Sequence, residues 1–142
     1  MSKLEKVVYT AKATSTGGRE GTSKSDDGRL ALTLSTPKAL GGNDGQGTNP
    51  EQLFAAGYSA CFIGAMKVAA MNEKVKLPDD LAVDAEVGIG PITGGYNVNA
   101  KLTVRAPSLE KSVLENLVHK AHEICPYSNA TRGNIHVELV IA

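Results

Sequence analysis

The sequence predicts a single α+β domain, with antiparallel strands wrapped around a buried central helix, and three observations predict it. Residues 49 to 71, NPEQLFAAGYSACFIGAMKVAAM, carry a helix start signal and no charge from Leu53 to Met66. Strand-like segments punctuated by turn residues stand on both sides of that helix. A second, amphipathic helix pattern precedes the last strand. At 142 residues the chain can bury roughly 70% of its unfolded surface, so residues 1–142 need no metal or disulfide staple to fold.

Val7 to Thr14 is β-branched and roughly alternating, and Thr16-Gly17-Gly18-Arg19 supplies a turn before Glu20 to Ser25, which predicts a hairpin. Asp26-Asp27-Gly28-Arg29 is a second turn, and Leu30, Leu32 and Leu34 recur at period two, which adds a third strand. Residues 40 to 49, LGGNDGQGTN, hold four glycines, but no Gly-Lys-Ser/Thr follows them, so they read as a plain loop. Asn49 then serves as N-cap, Pro50 suits the first helical position because its missing N–H needs no partner there, and Gln52 stands where a capping box places it. Lys67 interrupts the apolar run, and about 14 residues suit a core helix better than a membrane span.

Asn72 to Asp80 reads as a connection, and residues 81–89 and 95–104 as strands joined by a loop over Pro91 to Gly95. Ser108 is placed to cap a helix from Leu109 to about Ile124 whose Leu109, Val113, Leu117, Ala121 and Ile124 share one face. Pro126 biases Cys125 away from helical dihedrals, which puts this cysteine at the helix terminus or just beyond, where it moves more easily than Cys61. Asn134 to Ile141 alternates and predicts a final strand.

The 15 basic and 15 acidic residues balance without blocks of like charge, which excludes the electrostatic footprint of a nucleic-acid or anionic-membrane partner. The opening MSKLEKVVYT has neither signal-peptide nor transit character, so the chain is expected to be cytoplasmic. In a reducing compartment two cysteines point to catalysis or redox sensing rather than to a structural bridge. His119 and His122 are within reach of one metal, yet with Glu123 and Cys125 as their only neighbours they read as a solvated helix face, and no metal site is expected.

A cysteine attacks as its thiolate, and burial in an apolar helix disfavours that charge, so a reactive Cys61 needs a cation. The helix N-terminus is about 17 Å away along the axis, beyond the reach of its dipole. Arg19, Arg29, Arg105 and Arg132 are the candidates, Arg19 being the one held directly after a Gly-Gly turn. Glu51, in the first helical turn, suits either a bidentate pair with a guanidinium or simple dipole complementarity. Gly57 and Gly64 share the face of Cys61 and permit close approach to its sulfur. An inert, packed Cys61 is the alternative.

Residues 49–62, NPEQLFAAGYSACF, and 125–134, CPYSNATRGN, resemble the two signature segments of the organic hydroperoxide resistance (Ohr) proteins within the Ohr/OsmC family, and the likeness extends to Gly17-Gly18-Arg19-Glu20-Gly21. The resemblance implies an intertwined α+β homodimer and a thiol peroxidase acting on alkyl or fatty-acid hydroperoxides. Cys61 matches the peroxidatic cysteine, Cys125 the resolving one, and Arg19 and Glu51 the catalytic pair. It further implies no bound cofactor and reduction of a Cys61–Cys125 disulfide by dihydrolipoamide or a lipoylated protein. Phe54, Tyr58, Ile63, Met66 and Tyr127 are candidate walls of a pocket for the organic group, and equally good core residues.

Glu51 and Cys61 are separated by about 15 Å on a continuous helix, too far for both to share one arginine. Arg19 and Glu51 of one subunit are therefore expected to complete the site around Cys61 of the other. The competing reading is a thiol redox sensor or binding protein with little turnover.

Overall fold

The computed structural model describes residues 3–142, which group into two compact units, one up to Pro50 and one from Glu51 onward. The first unit is the expected meander: β1 (Ala13–Thr16), β2 (Thr22–Ser25) and β3 (Ala31–Thr33) pair antiparallel in that order. Leu34, at 5% exposure, bridges to Thr48 and returns the glycine-containing loop to the sheet. A 3-10 turn, Gly18–Glu20, links β1 to β2. It closes so tightly that a Cβ on Gly21 would fall 1.7 Å from the Thr16 carbonyl oxygen, which leaves only glycine there. The expected strand at Val7–Thr14 begins only at Ala13. Val7, Val8 and Tyr9 have the right pattern but stay exposed and outside any ladder.

In the second unit, α1 runs unbroken from Pro50 to Glu73. Tyr58, Phe62, Ala65, Met66, Ala69 and Ala70 form its buried face. By length and composition alone α1 is able to cross a membrane, so the short-run argument does not decide the matter. One face is that of a core helix, those six residues each being at most 4% exposed. The enclosure is one-sided, however. Ala56, Ala60, Gly64, Val68 and Met71 form a stripe that the chain leaves uncovered.

β4 (Ala82–Ile92) and β5 (Gly95–Arg105) make a long antiparallel hairpin from Ala82↔Arg105 to Ile92↔Gly95. Pro91 and Ile92 belong to the strand rather than to the expected loop, which shrinks to Thr93-Gly94. Pro91 is tolerated because β4 is an edge strand. β6 (Val137–Ile141) joins β5 in parallel, which departs from the expectation of antiparallel pairing throughout. The crossover that a parallel pair requires contains α2 (Lys111–Ile124) and a short helix, α3 (Pro126–Thr131), that the sequence pattern did not reveal. Ser108 does not cap α2; its hydroxyl donates to Asp80 Oδ1 at 3.0 Å, and the cap position is Glu110. Alternate residues of β5, Ala100, Leu102 and Val104, share one apolar cluster with α1 and with Leu114, Leu117, Val118 and Ala121 of α2. Lys120 pairs with Glu73 and ties α2 to the end of α1.

Leu117 is fully enclosed in this cluster. Leu117→Ala is expected to cost about 2–5 kcal/mol in urea unfolding. A loss below about 1 kcal/mol contradicts its place in the core.

Candidate active site

Cys61 lies midway along α1 and is half-buried; Cys125 stands between α2 and α3 and is fully buried. The sequence expectation of a deeply enclosed Cys61 and a freer Cys125 is thus reversed as regards exposure. Cys125 does lie at the helix terminus, ending α2 by donating its N–H to the Ala121 carbonyl and preceding Pro126, the first residue of α3. Its extended backbone, φ −62° and ψ 123°, is the conformation that a residue before proline prefers.

The fold sets the Cys125 thiol and the Tyr127 backbone N–H close enough to Cys61 to act on its titration. Burial pushes the Cys61 thiol above its ordinary value, and the neighbouring Cys125 adds to the rise, while the Tyr127 N–H opposes it. Within its own unit, therefore, Cys61 favours the neutral thiol. Glu51 is in the first turn of the same continuous helix, about 15 Å along the axis from Cys61.

Arg19 is the central residue of the 3-10 turn in the first unit, and its carbonyl accepts from Thr36 Oγ1 at 3.5 Å. The other three arginines have defined settings. Arg29 faces solvent near Asp27, and Arg105 makes a bidentate pair with Asp84 at 2.6 and 3.1 Å. Arg132 donates to the His122 carbonyl at 2.7 Å and to Asn129 Oδ1 at 2.6 Å, finishing α2.

Phe54, Tyr58 and Tyr127 form a three-ring cluster with centroids 5.7–6.1 Å apart. Tyr127 lies over Gly57, where a Cβ would fall 2.7 Å from its hydroxyl oxygen, so one of the two glycines beside Cys61 admits an aromatic ring. Gly64 faces open space. Tyr58 and Met66 are wholly enclosed, which is the core role that the sequence left open beside the wall role. Phe54 and Ile63 are partly exposed, and Tyr127 is 38% exposed. A separate cleft of about 420 Å³ in the first unit, lined by Tyr9, Lys12, Asp26, Asp27, Arg29 and Leu30 among others, contains no nucleophilic thiol.

A polar network missed by sequence reasoning underlies the cysteines. Ser128, fully buried, shares hydrogen bonds of 2.8 Å with Tyr58 Oη and 2.8 Å with His122 Nδ1. Thr131 Oγ1 lies 3.4 Å from Tyr58 Oη and donates to the Tyr127 carbonyl at 2.8 Å. No sequence period marks Ser128; its signals are its place three residues after Cys125 and within the segment CPYSNATRGN. The two helical histidines part company here, because His119 is exposed and pairs with Glu123 at 3.6 Å while His122 faces Ser128. Burial lowers the His122 pKa, with Arg132 and His119 acting in the same direction and Glu123 against them.

The sequence matches the OsmC-like protein family over residues 41–140. It is 58% identical to the organic hydroperoxide resistance protein of Xanthomonas axonopodis pv. citri over 142 residues, the whole of both chains. The crystal structure of an organic hydroperoxide resistance protein from Elizabethkingia anophelis superposes with a TM-score of 0.90 at 46% identity, covering 96% of this chain and 98% of that one. The organic hydroperoxide resistance protein OhrB of Bacillus subtilis gives 0.86 at 41% identity, covering 96% and 100%.

The His122 ring is expected to titrate below the ordinary 6.5 in an NMR pH series. Because folding disfavours its charged form, its contribution to stability is whole above pH 6.5 and is lost as pH falls through the lower folded-state midpoint. His122→Gln should flatten that part of the stability profile in urea. A midpoint at or above 6.5 refutes the assignment.

Proposed function

The chain belongs to the OsmC-like family, and from that membership we propose that it is a thiol peroxidase of the organic hydroperoxide resistance type, acting in defence against organic peroxides. The observation that carries the reading is the pairing of a half-buried Cys61 with an enclosed Cys125 near enough to influence its titration. The accessible thiol meets peroxide, and its neighbour is already placed to follow.

The Cys61 thiolate attacks one oxygen of an alkyl or fatty-acid hydroperoxide. The O–O bond breaks, the alkoxide leaves and takes a proton to become the alcohol, and Cys61 is left as a sulfenic acid. Cys125 then displaces hydroxide from that sulfur, which departs as water with the Cys125 proton, and a disulfide remains. A dihydrolipoyl dithiol, free or protein-bound, returns both cysteines to thiols, and no cofactor stays bound.

Because burial and Cys125 hold the Cys61 proton in place, the reaction in this reading draws on a cation near the sulfur. Arg19 fills that role in this reading, stabilising the thiolate and then the departing alkoxide, with Glu51 orienting its guanidinium. The spacing along α1 makes Glu51 serve the Cys61 of a second subunit. The uncovered stripe of α1 and the exposed Val7, Val8 and Tyr9 support a homodimer with sites at its interface. The cytoplasm, kept reducing, suits a cycle that starts from two free thiols.

Stopped-flow mixing of reduced protein with cumene hydroperoxide and dihydrolipoamide is expected to show repeated turnover, at least tenfold faster than with hydrogen peroxide and abolished in Cys61→Ser. One turnover without recycling would instead favour a redox sensor. In heterodimers of Cys61→Ser and Arg19→Ala subunits, about half of wild-type activity per dimer should return, because one of the two shared sites is intact. Verified heterodimers with no recovery would rule out the cross-subunit arrangement.

A further inference from the structure

Two neighbouring cysteines do not by themselves react quickly; the second sulfur must stay within bonding reach of the first when the first is modified. The segment that carries Cys125 is short, since α3 spans only Pro126–Thr131. A helix of six residues has little stability of its own, so other contacts must hold it against α1.

Ser128 supplies such a contact. It is fully buried, and its hydroxyl is bound at 2.8 Å on one side to Tyr58 of α1 and at 2.8 Å on the other to His122 of α2. Tyr58 precedes Cys61 by three residues, so the α1 end of this link lies one turn from the reactive sulfur. Ser128 follows Cys125 by three residues, so the α3 end lies one turn from the second sulfur. The Ser128 carbonyl also accepts the Arg132 N–H at 3.0 Å, which closes α3. One buried hydroxyl thus fixes the Cys125 segment to both helices that frame it.

We propose that Ser128, held between Tyr58 and His122, is a positioning residue for disulfide formation, keeping Cys125 where it attacks the modified Cys61 sulfur. The inference deepens the peroxidase reading, but it concerns thiol chemistry that any oxidant of Cys61 reaches. In the proposed cycle Cys125 displaces hydroxide from the sulfenic acid. In a test reaction with 5,5′-dithiobis(2-nitrobenzoate) the Cys61 thiolate attacks the reagent's S–S bond, releasing one aryl thiolate and leaving a mixed disulfide. Cys125 then attacks the Cys61 sulfur, releasing the second aryl thiolate and a proton and forming the Cys61–Cys125 bond. The first step is bimolecular and begins at the more exposed cysteine; the second is intramolecular and depends on alignment, where a displacement of about 1 Å can cost 100-fold.

The experiment is stopped-flow release of aryl thiolate from reduced protein and one equivalent of the reagent, for wild type, Ser128→Ala, His122→Leu and His122→Asn. Asparagine keeps a hydrogen-bonding atom near the position of Nδ1, whereas leucine keeps bulk without it. Ser128→Ala and His122→Leu are expected to slow the second phase at least tenfold while the first stays within threefold of wild type. His122→Asn should retain a second phase within threefold. An unchanged second phase in both Ser128→Ala and His122→Leu overturns the proposal. So does a parallel fall of both phases, which marks general structural loss. Should Ser128→Ala fail to fold, the Leu and Asn pair at His122 decides alone. No peroxide enters this assay, so failure of the peroxidase reading leaves its outcome intact.

Discussion

Burial disfavours a thiolate, and Cys61 is carried by the most apolar helix of the chain. The remainder of the site can be understood as a response to that cost. The group that opposes the rise, Tyr127 N–H, comes from the segment that also carries Cys125. The thiol neighbour of Cys61 raises the pKa further, so the group proposed to form the disulfide also opposes the proposed first step. In that proposal the two demands are reconciled when a cation sets the charge and the buried contacts set the geometry.

That division explains which features were legible in the sequence. Helix α1 announced itself through Asn49-Pro50 and an uncharged run because start signals and apolar length are local properties. The β1–β3 meander was readable from Gly17-Gly18, Asp27-Gly28 and the alternating leucines for the same reason. What escaped depended on distant partners. Val7 to Lys12 have strand character, yet pairing is decided by what lies alongside, and among the described residues no strand forms a ladder with them. Ser108 has the chemistry of a cap and is drawn instead to Asp80. The parallel pairing of β6 is invisible in its alternating pattern, because period two is common to both ladder types.

The same holds for the candidate site. The two cysteines stood out by scarcity, and the resemblance offered Arg19 and Glu51 as candidates beside them. Ser128 lies in the second signature segment, yet nothing in that string marks its hydroxyl as buried, because a buried hydroxyl is distinguished from an exposed one only by its surroundings. Tyr58 illustrates the same ambiguity from the apolar side: its ring belongs to the core while its hydroxyl anchors the segment bearing Cys125.

The parallel β5–β6 pair has a kinetic consequence. β4 and β5 meet across a two-residue turn and can zip locally, but β6 reaches β5 only after the whole stretch from Ala106 to His136 has folded back. Cys125 lies within that returning stretch and Cys61 outside it. During synthesis and refolding the two sulfurs therefore remain strangers until that stretch has also packed against α1, a contact between residues as distant in sequence as Tyr58 and Ser128. Before that moment Cys61 is an isolated thiol; afterwards it has a thiol neighbour.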